Sequence, residues 1–73
     1  MRAFVDRDGS RWDIVLGRES WGALVLLFVP AAPAPVRQAF FPADGYDIAV
    51  VALDELPDDR IQQLLDESQP RPD

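Results

Sequence analysis

Two groups of residues have the types and spacing that could do chemistry. Asp6-Arg7-Asp8-Gly9 has the beginning of an oxygen-ligand cation loop, and Asp54, Glu55, Asp58 and Asp59 gather four carboxylates in a short stretch. A full EF-hand loop needs further oxygen ligands and a closing glutamate. Here Asp13 sits at the wrong spacing and no other acid follows until Glu19, so Asp8-Gly9 predicts a tight hairpin turn instead. Paired carboxylates can hydrolyse glycosides, but only in a concave site that sets their proton affinities apart. A domain of 73 residues has little interior with which to build one. The four acids are expected to form a solvated face, or else a docking face for a basic partner.

Nucleophilic and metal chemistry find even less support. The chain has no His, Lys or Cys, so Ser20 lacks the usual activating bases and a structural zinc site lacks its usual ligands. No catalytic residue, metal or cofactor is expected, and the chain is expected not to be an enzyme.

Arg18, Glu19 and Trp21 lie in a stretch bracketed by Gly17 and Gly22. A tryptophan beside an arginine on such a loop has the composition of an interface hot spot. The alternative places Trp21 over the sheet edge as a lid, with Arg18 paired to Glu19 or to a tail acid. Pro30 and Pro33 have Pro-x-x-Pro spacing, but Pro30 to Pro35 is expected to act as a rigid connection.

The elements that must position these residues follow from periodicity. Ala3–Asp6 and Arg11–Leu16 are predicted strands flanking the Asp8-Gly9 turn; Trp12, Ile14 and Leu16 share one face of the second. Ala23–Val29 is apolar throughout and is expected to be the third strand, with a short helix as alternative; Val36–Phe41 is expected to be the fourth. Tyr46, Ala49, Val50, Leu53 and Leu56 share a helical face behind Asp44, a candidate N-cap, although Ile48, Val50 and Val51 also suit a strand. Pro57 starts a second helix with Ile61, Leu64 and Leu65 as its stripe. The expectation is an α+β fold: a four-stranded antiparallel meander, with room to curl towards a small barrel, then two short C-terminal helices. Residues 1–67 form the domain and 68–73 a disordered tail.

One pattern reaches towards function. Leu24, Leu26 and Phe28 line one side of the third strand, while Ala23, Val25, Leu27 and Val29 line the other. Two short helices cover one side of such a sheet, so the second side needs sheet curling, the proline segment or another chain. The partner-binding residues expected on this basis are Arg18, Glu19, Trp21, Val25, Leu27 and Val29, and the acidic docking face is Asp54, Glu55, Asp58 and Asp59.

The net charge of −6 concentrates in residues 44–73, where nine acids meet only Arg60 and Arg71. Such a chain repels phosphates, so direct nucleic-acid binding is not expected. The longest apolar run, Trp21 to Val36, is too short to span a bilayer and is broken by prolines; no signal-peptide core is present near Met1. The absence of Lys, Asn and Thr is consistent with a GC-rich bacterial coding sequence. Together these features lead to the expectation of a cytoplasmic, non-catalytic interaction module, a small bacterial regulator or accessory subunit, with a protein partner or a second copy on the extra apolar face. An acidic mimic that masks a basic nucleic-acid-binding surface, and a small carboxylate-dependent enzyme or ligand-binding domain, are the alternatives.

Overall fold

Alternation, turn chemistry and one continuous apolar run build a sheet before any helix contributes. A computed structural model describes residues 2–71. Strands β1 (Arg2–Val5), β2 (Arg11–Arg18), β3 (Leu24–Pro30) and β4 (Arg37–Phe40) precede helices α1 (Tyr46–Glu55) and α2 (Asp58–Glu67), and a short β5 (Gln69–Pro70) follows. The strands form one open antiparallel sheet in chain order.

The two tight hairpins use the same device. In each, the fourth turn residue donates its N–H to the first, Gly9 to Asp6 and Gly22 to Glu19. Gly9 (φ 85°) and Gly22 (φ 98°) take the left-handed conformation that side chains resist. Asp6 reinforces the first turn by accepting from the amides of Asp8 and Ser10 and from the Trp12 indole N–H, each at 2.9 Å. Asp6-Arg7-Asp8-Gly9 is thus a turn.

The register places Ile14, Leu16, Leu24, Leu26, Phe28 and Ala39 on one face. Ala49, Leu53, Ile61 and Leu65 of the helices close over these residues, with Phe4 and Phe41, as a single core. Trp12 meets Phe28 edge-on at 6.3 Å. Burial of each large aliphatic contributes about 1.5–3 kcal/mol. Arg2 fastens the helix joint to β1: its guanidinium donates to the carbonyls of Leu53 (2.8 Å) and Leu56 (2.6 Å) and to Asp58 (2.9 Å). Those carbonyls lie at the C-terminal end of α1, where the Leu56 amide gives Leu53 a long 3.3 Å bond and the arginine supplies further donors.

Four expectations are corrected. The sheet has five strands, not four, and stays open rather than curling into a barrel. Residues 68–71 are not a loose tail. Ser68 is buried and accepts from Arg37 Nε at 2.8 Å, β5 pairs with β4, and the Arg71 amide reaches the Val36 carbonyl at 2.8 Å. Polar bonds anchor this segment, so its lack of apolar residues was a misleading sign; Pro72 and Asp73 lie outside the described residues. Asp44 does not cap α1: Gly45 is the N-cap, with no side-chain bond. Gly17 lies within β2 rather than in a loop, because a Cβ there would stand 3.2 Å from Leu27 and 3.3 Å from Val25, side chains that lean across the strand.

Candidate functional site

The sheet face turned away from the helices carries Ala3, Val5, Arg11, Asp13, Val15, Val25, Leu27, Val29, Gln38 and Phe40, as strand register dictates. Its cover is partial. Arg71 Nη1 donates to Glu19 Oε1 (2.9 Å) beyond the end of β2 and to Gln38 Oε1 (2.7 Å) on β4. Reaching both places its guanidinium over the intervening β3, and Val25 beneath it is only 2% exposed. The chain therefore shelters part of its own second face with the last residues of the fold. Leu27 is half-buried, whereas Val5, Val15, Val29 and Phe40 stay exposed.

Trp21 occupies the tip of the β2–β3 turn and is 69% exposed. Its ring tilts against Phe40 at 5.8 Å, and the two aromatics flank a shallow groove floored by Ala23, Leu24, Phe41 and Pro42. Backbone pairing around Gly22 sets the position of Trp21, and β4 sets that of Phe40. Neither ring is enclosed, so Trp21 is not a core lid.

The expected partner-binding residues separate in space. Trp21 and Val29 are exposed on this side, Leu27 is half-available, and Val25 supports the surface from within. Glu19 is held by Arg71. Arg18 lies on the helix side, its guanidinium 5.8 Å above the Tyr46 ring, while Glu19 is paired with Arg71; the tail acid Asp73 lies outside the described residues. Phe40, Val15 and Val5 escaped sequence reasoning. Alternation along β1, β2 and β4 carried the signal, since each faces the same way as Val25 or Val29 once register is known.

Among the described residues, charge on this face is balanced: Arg11 and Arg71 stand against Asp13 and Glu19. The acidic surplus lies elsewhere. Asp54, Glu55, Asp58 and Asp59 are all exposed along the α1–α2 joint, where Asp58 pairs with Arg2 and Asp59 accepts from the Arg60 amide at 3.0 Å. Among the described residues no cluster of three or more acids could hold a metal ion. On the hairpin side, the Trp12 indole N–H holds the Asp6 carboxyl below the usual carboxylate range. Arg7 bonds Asp66 at 2.7 Å, which lowers the acid's proton affinity and raises that of the arginine. Asp66 is an exposed partner in a surface pair, and Asp6 is a half-buried acceptor inside a turn. Among the described residues no helix is long and apolar enough to cross a membrane.

No family model, no curated protein and no solved structure matches this chain, and its function is read from the surface just described.

Proposed function

We propose that the protein is a non-catalytic interaction module that binds a second copy of itself through the outer face of its sheet. The observation that carries this reading is the composition of that face. Val5, Val15, Val29 and Phe40 remain at the surface, Trp21 adjoins Phe40, and among the described residues two arginines stand against two carboxylates there. In a chain of net charge −6, a face of zero charge is where two copies approach without like-charge repulsion.

The available area sets the strength of such a contact. At a rise of about 3.4 Å per residue and a strand spacing of about 4.8 Å, the five strands give a flat footprint of about 400 Å². That is about half the roughly 800 Å² per partner of a standard interface, the size of a weak, concentration-dependent association. Sheet faces pack well on one another at about 10 Å, and a two-fold axis lets Arg11 and Asp13 of one copy meet their counterparts. The exposed Trp21–Phe40 pair supplies the kind of aromatic anchor that dominates interface energies.

Light scattering after size-exclusion chromatography tests the proposal over a range of concentrations. The natural chain is expected to have twice the mass of a Val15→Arg, Val29→Arg double variant that retains the same circular dichroism. A natural chain that stays monomeric at millimolar concentration, or a double variant that associates equally well, overturns it.

A further inference from the structure

A second apolar surface lies on the opposite side of the molecule. Residues 48–53 of α1, Ile-Ala-Val-Val-Ala-Leu, are apolar without a break, yet the fold buries only Ala49 and Leu53 of this helix. A helix that is apolar on all sides belongs between two partners; here only one is present. Ile48 and Val51, one turn apart, are 58% and 56% exposed and border a shallow hollow with Ala52 between Asp47 and Glu55. Asp54, two residues beyond Ala52, is also exposed, and no arginine lies on this helix.

We infer that this ridge docks a basic amphipathic helix of a different protein. The acids beside this apolar ridge set both requirements for the occupant: an apolar stripe to cover Ile48 and Val51, and Arg or Lys along one edge to meet Asp47 and Asp54, which share a side of the helix, and at the end to meet Glu55. Helix-in-groove binding reads such anchors at spacings of three and four, the spacing of Ile48, Val51 and Ala52. A second copy is the wrong occupant, because α1 against α1 would set carboxylates against carboxylates. An anionic lipid surface or a nucleic acid is repelled for the same reason. The ridge lies across the two-layer fold from the outer sheet face, so the two sites can be occupied together.

The test uses the full chain and two synthetic probes of equal length and charge. One is a Leu/Lys helix with an apolar stripe; the other is its scrambled sequence, with leucines spread round the helix. Fluorescence anisotropy is expected to show the striped probe binding at least tenfold more tightly, with amide shifts in the NMR spectrum confined to α1 and its joint. An Ile48→Ser, Val51→Ser variant and an Asp47→Asn, Asp54→Asn, Glu55→Gln variant are each expected to lose on the order of tenfold or more in affinity. These positions are exposed, and unchanged circular dichroism serves as the control for folding. Equal binding of the scrambled probe, shifts centred on the outer sheet face, tighter association with anionic vesicles than with the peptide, or no binding at millimolar probe overturns the inference. None of these outcomes bears on the mass measured for the self-associated chain.

Discussion

Asp6 shows how much structure one short side chain can organise. Its two oxygens take hydrogen bonds from two turn amides and from the Trp12 indole, which locks the first hairpin and orients a ring that packs on Phe28. Only the carboxylate accepts all three bonds, so folding favours the ionised form and holds its pKa below the usual carboxylate range, the indole bond first among the causes. Asp66 is lowered in the same direction, first by its bond to Arg7. A depressed folded-state value means that the stabilisation is complete above the unfolded value and disappears as pH falls through the folded one. Acidification below about pH 4 is therefore expected to lower the melting temperature. Asp6→Asn should flatten that acid limb, because an amide binds no proton in this range. Trp fluorescence melts between pH 5 and pH 2 would measure this, and an unchanged slope would show that Asp6 is not a source of the acid sensitivity. The turn was legible in Asp8-Gly9. The indole bond was not, because it depends on β2 folding back far enough to bring Trp12 to Asp6.

Among the elements, β5 departs most from expectation. Ser68-Gln-Pro-Arg71 holds no apolar residue, yet it closes the sheet edge and lays an arginine across the second face. Arg37 explains the first effect: it grips the Ser68 hydroxyl and carbonyl at the end of α2, turning the chain back along β4. Arg71 explains the second, because its guanidinium bridges Glu19 and Gln38 across β3, the strand that carries the buried Val25. Arg71→Ala is expected to cost about 1–2 kcal/mol in urea unfolding, mostly through re-exposure of Val25. Arg71→Met, which keeps the stem, should retain most of that difference. Equal losses for both variants would mean that the polar bridge, not the cover, carries the stability. α1 was harder to read than α2 for a related reason. An unbroken apolar run hides its period, while α2 displays Ile61 and Leu65 among charged and amide residues.

As a whole, the molecule is a thin two-layer object, 32 × 29 × 19 Å, with one sealed core and two unsealed surfaces. Chains this small bury about 60% of their unfolded surface and are left with a few kcal/mol of stability. A partner that binds only the folded form adds to that margin by mass action. If a second copy covers the outer face, the melting temperature should rise with protein concentration, whereas that of the Val15→Arg, Val29→Arg variant should not. Scanning calorimetry over a hundredfold concentration range would show the difference, and two parallel flat lines would remove self-association as a source of stability. The distribution of charge fits separate roles for the two surfaces. The balanced sheet face suits a copy of the same acidic chain, while the acid-flanked ridge of α1 suits a basic stranger.

Local chemistry was enough to point to the first four strands and both helices, with β3 and α1 left between two periods, and to the Asp6–Gly9 turn and the split between a neutral half and an acidic half. Strand alternation, Asp-Gly turns, proline punctuation and charge counts are properties of neighbours in the chain, and they survive without a fold. Contacts between distant residues had to wait for tertiary structure: Arg2 on the end of α1, Arg37 on Ser68, Arg71 over Val25, and Trp21 against Phe40. Each joins residues whose separation is bridged only after the sheet and helices have packed. Exposure follows the same rule. Val25 and Val29 sit on one strand face with the same side-chain type, and only tertiary structure decides that the first is buried, on the strand spanned by the Arg71 bridge, while the second stays exposed.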